Sequence, residues 1–518
     1  MRGLSKTLPT LANHPGKVSC MTHSSRVLLD SVSDIKKYYS NNERPIIFVS
    51  PTNFNVMGIH RWVNHWLNIT LLDCFDGRHP DILNIKNDYP LAFTSTQDIN
   101  KYLLTHEKTQ KILNPLVDGT KPAFIFLFFD DFLEEICNGM GSQVLLPPNK
   151  LVREIDSKIM TTELGNAVGV RSVPNVLTKI NSFEALKKIA REAGLGDRWV
   201  IQTAYGDSGK TTFFIQSRAD YSKVSALIEK EDKVKIMRWI RCTESAIEAC
   251  ATRWGTFVGP LMTELIGLEE LTPYKGGWCG NELYKDVFST EVRAQVRQKS
   301  QAIGDALYQK GYRGYFELDY LIDLDTGEVF LGEINARITG ISAMTNLSDF
   351  SDRQIPLFLF HLLEFDPIVD LTLKVGDFND AVLACGAEGT AAQVILKYAE
   401  DPLTIATNAP VSGVYTLNGD RELTLMFPSH ERRDALGPNE IFIMRITSKG
   451  DYAYKGCDLA IMFLNTVICE KKGRLNLFGK QMVNALKSLF EFRALNSEER
   501  SQVELRNSPV SAKSMGAL

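Results

Sequence analysis

The sequence predicts a multidomain protein of α/β and α+β character. Three stretches carry this reading. Residues 26–150 alternate apolar runs of strand length with helical periods, the pattern of a small parallel α/β domain. Residues 315–335 form two alternating runs about a tight turn at Asp325-Thr-Gly327, a β-hairpin with Gly327 supplying the positive φ. Residues 376–495 string short strands and turns together and close on a helix, a C-terminal α+β unit. At 518 residues the chain has room for two to four domains.

Composition narrows the class. Hydrophobic content of 44% and charged content of 23% are those of a globular protein. A formal net charge of −4 argues against nucleic acid or an anionic membrane as the main partner. Nine cysteines are scattered with no C-x-x-C, which suits a reducing compartment. The first residues lack an apolar run long enough for a signal peptide. The longest apolar stretch, Ala123 to Phe129, is too short to span a membrane and reads as a buried strand. The expectation is a cytoplasmic protein.

Residues 1–25 are polar and mixed and are expected to be flexible. Residues 26–40 read as a helix with Val27, Leu28, Val32 and Ile35 on one face. Residues 45–50 read as a buried strand. A helix carrying Ile59, Trp62, Val63, Trp66 and Leu67 follows, then a strand at 69–74. Pro147-Pro148 marks a boundary. Residues from 150 on read as one helix containing Lys158. Residues 198–216 read as strand, glycine loop, strand. Gly206-Asp-Ser-Gly-Lys-Thr suggests a Walker A loop, yet Ala204 stands where its first glycine belongs. The following Thr-Thr-Phe-Phe-Ile-Gln is strand-like where that loop needs a helix. Glycines still let backbone N–H groups approach phosphate, with Ser208 and Lys210 adding a hydroxyl and a charge.

Residues 233–240 read as a strand, and 249–268 as two strands joined at Gly255. Residues 271–282, with Gly-Gly-Trp-Cys-Gly-Asn, are expected to form a mobile substrate loop. No general base is near Cys279 in sequence, so it is expected to be a bystander thiol. A helix at 288–310 ends at Gly311 and leads into the hairpin. A helix around 354–364 precedes a seam at Asp366-Pro367. Strands at 392–397, 413–417 and 440–445 and a helix at 477–492 complete the last unit. A polar tail from Asn496 is expected to be disordered.

The hairpin carries the chemistry. Phe316, Leu318, Tyr320 and Ile322 share one face of its first strand, and Glu317 and Asp319 the other. Glu333 and Asn335 share a face of the second strand. Folding about the turn puts Glu317 opposite Glu333, within one residue of register. Two like charges about 4 Å apart repel by about 4 kcal/mol at an effective dielectric of about 20. A divalent cation removes that penalty, and carboxylate and amide oxygens are magnesium ligands. An exposed acidic face is the alternative; Asn335 and Arg337 beside the acids favour the metal.

Glu333-Ile-Asn335-Ala-Arg337 resembles the Glu-x-Asn-x-Arg end of the ATP-grasp ligases. The resemblance implies that Glu333, Asn335 and an acid of the preceding strand hold metal. Glu317 is the first choice for that acid and Asp319 the second. It implies that Arg337 stabilises the departing phosphate. Ile155-Asp-Ser-Lys158 resembles the family's Asp-Lys helix start with one residue added, so Lys158 would reach the phosphates. Gly206, Ser208, Gly209 and Lys210 resemble its glycine flap, with Lys210 also catalytic. Gln202 stands where the family places a lysine on the α-phosphate, which leaves that grip weaker or moved to Lys158 or Lys210. Arg238, Trp239 and Ile240 resemble the adenine hinge, and Glu244 the ribose contact.

The implied organisation is a pre-ATP-grasp α/β domain at 26–150 and an ATP-grasp domain at 151–366. The latter would have a flap lobe at about 175–240 and a metal-binding lobe at about 241–366. A C-terminal α+β domain at 367–495, similar to that of biotin-carboxylase-type members, and a tail at 496–518 follow. The implied activity is ATP-dependent ligation of a carboxylate to an amine or thiol through an acyl phosphate. Its cofactors would be ATP with Mg2+ or Mn2+. Its partners would be small carboxylates and amines, amino acids or a peptide among them, with a homodimer left open. The opening domain and the loop at 276–281 look most like those of bacterial peptide ligases. A bicarbonate-using enzyme and a nucleotide-binding regulatory protein are the alternatives.

Overall fold

Ser31 sets the first departure from the expected elements. Its hydroxyl accepts from the Asp34 N–H and caps the helix Val32–Ser40. Val27–Leu29 is therefore outside that helix, and it forms a strand parallel to Val369–Leu371. The computed structural model describes residues 26–506, apart from 87–92, 207–210, 386–388, 420, 436, 438 and 471–472.

A five-stranded parallel sheet follows, in the order Ile82–Asn84, Trp66–Thr70, Ile46–Ser50, Ala123–Phe126 and Gln143–Val144. The helix expected to carry Trp62 and Trp66 is not formed. Gly58, at φ +85°, opens a single short turn at Ile59–Arg61, and His65, at φ +58°, breaks the helical path. Trp66 then starts a strand, three residues earlier than the sequence suggested.

The second sheet is antiparallel, in the order Asn175–Thr178, Val234–Arg238, Trp199–Gln202 and Thr212–Ile215. Alternation divides its two faces. Ile201, Val234 and Ile236 pack against Leu186, Ala190, Tyr221 and Ile228 of the helices Phe183–Glu192 and Arg218–Ile228. On the other face Val200 and Met237 pack on Val173 and on Phe330 of the acidic hairpin. Gln202 and Lys235, one alternation along, share that second face.

The third sheet has eleven strands. Nine of its neighbours run Val329–Asn335, Gly314–Asp323, Cys242–Thr252, Met262–Ile266, Trp278–Leu283, Ala391–Lys397, Asp458–Leu464, Glu440–Arg445 and Gly413–Leu417. Leu423–Pro428 follows at the end, and Gly255–Val258 pairs with Cys242–Thr252. The sheet thus continues unbroken past the seam expected at Asp366-Pro367.

Trp278–Leu283, expected as a mobile loop, is a strand in the middle of this sheet. Gly280 allows it. Its φ is +144°, and a Cβ there would lie 2.0 Å from the Gln393 carbonyl oxygen. Near the C-terminus the last long helix is shorter than expected, Leu477–Lys487. Glu491–Ala494 turns back as a strand on Thr404–Asn408. Ser497–Arg506 is a helix where a disordered tail was expected, since Asn496 N–H and Arg493 both bond Glu499 and fix its first turn.

The helix Thr290–Gln309 lies on the large sheet with Gly304 at the contact. A Cβ at 304 would sit 2.4 Å from Thr256 Cγ2 and 3.0 Å from Phe316 Cζ. Thr256 is β-branched and buried, so it has little room to yield. Gly304→Ala is expected to lower stability by about 1–3 kcal/mol through overpacking, despite alanine's better helix propensity. Urea denaturation of the two proteins measures this.

Candidate active site

The acidic hairpin pairs as Gly314–Asp323 with Val329–Asn335, but its register differs from the expected one by two residues. Asp319 stands opposite Glu333, and Glu317 opposite Asn335. A bulge supplies one of these two residues, and the pairing next to the turn, Ile322 with Val329, supplies the other. The pairing steps from Asp319↔Glu333 to Tyr320↔Leu331, which leaves Gly332 unpaired. The approach is close, since a Cβ at 332 would lie 3.1 Å from the Asp319 carbonyl oxygen. Counting from the turn could not reveal the extra residue.

Register and alternation gather acids on one face of the large sheet. Glu248 pairs with Glu317 on the neighbouring strand, and Glu264 lies one strand further. Carboxylate oxygens of Glu264, Glu317 and Asp319 all fall within 4.8 Å of one another. Burial and then mutual repulsion hold these three carboxyls well above the ordinary range. Burial raises Glu248 to about 7, against hydrogen bonds from Ser342 and others that favour its charged form. Asn335 Nδ2 donates to Asp319 Oδ2 at 3.5 Å, while the buried Asp319 Oδ1 finds no partner among the described residues.

A hard divalent cation fits this donor set. The ligands are all oxygen, carboxylates outnumber cations, and one buried carboxylate oxygen is unmatched. The carboxylates the structure brings together are Glu264, Glu317 and Asp319, with Asn335 bonded to Asp319, while Glu333 is paired with Lys158.

Lys158 ties the acids to the glycine lid. The helix expected from residue 150 is two helices, Asn149–Ile155 and Lys158–Ala167, because Ser157 caps the second through Met160 N–H. That break sets Lys158, almost wholly buried, at the second helix's first turn. Its Nζ lies 2.5 Å from Glu333 Oε1 and 2.9 Å from the Gly206 carbonyl oxygen. Its N–H donates to the Ala204 carbonyl at 2.9 Å. Thr161, one turn on, bonds the Ile334 N–H and seats the helix on the hairpin. At Gly206 φ is +149°, and a Cβ would lie 2.1 Å from Thr211 Oγ1, so only glycine fits the lid there. Ser208, Gly209 and Lys210 lie outside the described residues.

Gln202 brings no charge to the lid strand, but the structure places one beside it. Lys235 is the direct cross-strand neighbour of Gln202 and points to the same face. Its side chain is fully buried, with Ser172 Oγ 3.2 Å from Nζ. Burial lowers Lys235 to about 8; nearby Lys158 lowers it further, while Glu333 opposes. Sequence reading missed this lysine, since Val-Lys-Ile-Met-Arg looks like any strand edge. The available signal was the strand alternation that places it beside Met237.

The remaining candidates divide. Arg238 and Trp239 N–H groups already donate to the Pro174 and Arg198 carbonyls, both at 3.0 Å. Ile240 is thus the hinge amide left without a partner among the described residues. Arg198 stacks on the Trp239 ring at 3.7 Å and stiffens the hinge. Glu244 shares the acidic face of Cys242–Thr252, and burial raises its carboxyl. Arg337 Nη2 donates to Asn335 Oδ1 at 3.1 Å, and its guanidinium lies 5.2 Å from the Phe128 ring. Gly340, just beyond, is packed by Trp278, which would lie 2.2 Å from a Cβ there. Cys279 is buried, its thiol raised to about 11 and donating to the Leu265 carbonyl, as a bystander. A cavity of about 750 Å³ lies between residues 27–46 and 362–368 and touches none of these groups.

No protein-family model and no curated protein sequence matches the chain. Solved structures do. A biotin carboxylase from Campylobacter jejuni aligns with a TM-score of 0.56 at 12% identity, over 90% of this chain and 96% of that one. The biotin carboxylase domain of 2-oxoglutarate carboxylase from Hydrogenobacter thermophilus, complexed with MgADP and bicarbonate, gives 0.53 at 12% over 88% and 92%. Phosphoribosylamine–glycine ligase from Thermotoga maritima gives 0.52 at 13% over 87% and 98%. The chain has the ATP-grasp fold.

Lys235 carries a testable cost. A fall from 10.5 to about 8 corresponds to about 3 kcal/mol against folding with the lysine charged. That penalty is full below pH 8 and disappears as pH rises towards 10.5. Lys235→Met is expected to raise the stability of the free protein by about 1–3 kcal/mol at pH 7, with the gain shrinking at pH 10. Denaturant titrations at the two pH values check it.

Proposed function

We propose that this protein is an ATP-dependent carboxylate–amine ligase that works through an acyl phosphate. The observation that carries the reading is the convergence of Asp319, Glu333, Asn335 and Arg337 beside Lys158, which also bonds the Gly206 carbonyl. We also propose the division expected from sequence: a pre-grasp domain at 26–150, the grasp domain at 151–366 and a C-terminal domain at 367–495.

The nucleotide would lie between the two-faced small sheet and the hairpin. Its base would meet the apolar set Val173, Val200, Met237 and Phe330, with Ile240 N–H at its edge and Glu244 towards the ribose. Lys158 and Lys235 would face the phosphates, with Gln202 donating beside them. Lys158 must exchange its bonds to Glu333 and Gly206 for phosphate oxygens. Bound magnesium would neutralise phosphate charge and leave the acids free to ionise. The substrate carboxylate takes the γ-phosphoryl group and ADP departs. The amine then attacks the acyl carbon, gives up a proton, and phosphate leaves. Arg337, oriented by Asn335, would stabilise that leaving phosphate.

A bicarbonate-using reaction is the second reading, favoured by the bicarbonate bound in one structural neighbour. No described helix is long and apolar enough to cross a membrane. With its unpaired described cysteines the protein suits a cytoplasmic enzyme acting on small molecules, amino acids or peptides among them.

Phosphate release from MgATP, with amino acids or bicarbonate supplied in turn, tests the reading. Glu333→Gln is expected to abolish release. Arg337→Ala should lower kcat by about 10² with nucleotide still bound. Wild-type rates in either variant would refute the assignment. Lys235→Met is expected to weaken ATP binding about tenfold or more, through loss of a charge buried near the phosphates.

A further inference from the structure

A second cavity, about 240 Å³, opens on the other side of Arg337. It lies between that arginine and the ends of two strands of the parallel sheet, at Phe126–Phe129 and Leu146. Its two ends differ in chemistry. The inner wall holds Tyr312, Tyr315 and His361, all buried, and every polar atom there is already used. Tyr312 OH donates to the Tyr315 carbonyl, and Tyr315 OH bonds Glu248. His361 Nδ1 accepts from the Tyr315 N–H at 3.0 Å, and its other nitrogen lies 2.8 Å from the Leu145 carbonyl. Burial lowers that imidazole to about 4, so it is neutral at ordinary pH. On this inner wall only ring faces and the apolar side chains of Phe126, Phe129 and Leu146 remain to meet a ligand, while Gln97 and Asn149 also line the cavity.

The mouth is charged. Arg337 has 22% of its side chain exposed, Asp156 37% and Arg153 65%, against 2% or less for the residues at the base. Arg337 belongs to both sites. One edge of its guanidinium bonds Asn335, and Phe128 at the rim of the cavity lies beneath it. Its Nε has no hydrogen-bond partner among the described residues and lies 3.9 Å from Asp156 Oδ1, a long ion pair that an incoming carboxylate would displace or share. The volume is below the roughly 300–1,000 Å³ typical of sites for drug-sized ligands. It matches a single ring on a short linker.

We infer that the cavity receives the apolar, ring-sized side chain of a carboxylic acid whose carboxylate rests on Arg337. The substrate class is then aryl or bulky alkyl carboxylates, rather than bicarbonate or small polar acids. Calling this ligand the substrate rests on the ligase reading; its binding does not. The carboxylate satisfies the guanidinium, and the ring removes apolar walls from water. A charged or polar side chain reaching the inner wall would meet no group free to bond it.

Calorimetric titration of 3-phenylpropanoate and of propanoate tests the cavity, with Mg2+ and a non-hydrolysable ATP analogue present. The aryl acid is expected to bind at least about tenfold more tightly. Leu146→Trp fills the cavity and should cut that preference below about threefold. Phe128→Ala, at a half-buried position, should reduce it too and serves if the tryptophan variant fails to fold. Equal affinity for the two acids, or a preference that survives both variants, would overturn the inference. Phosphate release separates this from the ligase reading. Release driven best by propanoate or bicarbonate leaves the ligase and removes the cavity's role. Preferential binding with no release by any acid leaves the cavity and removes the ligase.

Discussion

The concentration of negative charge beneath the hairpin governs the centre of this molecule. Glu248, Glu264, Glu317 and Asp319 lie within three adjacent strands, all buried deeply enough that their carboxyls resist ionising. Such a set is tolerated in only two ways: by staying protonated or by meeting cations. The protein supplies cations from its own chain, Lys158 directed at Glu333 and Arg337 near Glu317 and Asp319. The same ammonium holds Gly206 of the lid. Electrostatic compensation and lid attachment are therefore one interaction, and a ligand that takes Lys158 from Glu333 also changes what restrains the lid.

Charge can be kept in a site while moving in sequence. The lid strand offers Gln202 where a lysine is expected, and the adjacent antiparallel strand offers Lys235 directly across from it. Paired residues in a sheet lie about 5 Å apart with side chains on one face, so a long side chain serves nearly the same space from either strand. The exchange has a consequence for stability. A lysine buried without a carboxylate in contact opposes folding while it is charged.

Apolar packing keeps the polar groups in position. Trp278 covers Gly340 and limits where the chain can go after Arg337. His361 fills the space beside Gly314, where a Cβ would lie 2.3 Å from its ring, and fixes the first residue of the hairpin. The large sheet continues from the acids into the C-terminal strands, so the hairpin is buttressed from the side opposite the lid. The two faces of Arg337, one on Asn335 and one on Phe128, join the phosphate chemistry to a pocket of quite different polarity.

Sequence by itself determined the class of fold and the hairpin, and it singled out the Glu333-Asn335-Arg337 triplet. Those are local: alternation, turn residues and a short motif are written within a few residues of one another. It misjudged Trp66 and Trp278 because an isolated tryptophan suits a helix, a strand or a loop, and only its neighbours in space choose. Tertiary structure decided that Asp319 faces Glu333, that Lys158 starts a helix, that Lys235 lies directly across from Gln202, and that an aromatic cavity adjoins Arg337. Each depends on a bulge, a cap, a strand pairing or a packing between segments distant in the chain. Register and burial are properties of pairs of segments, and no single segment encodes them.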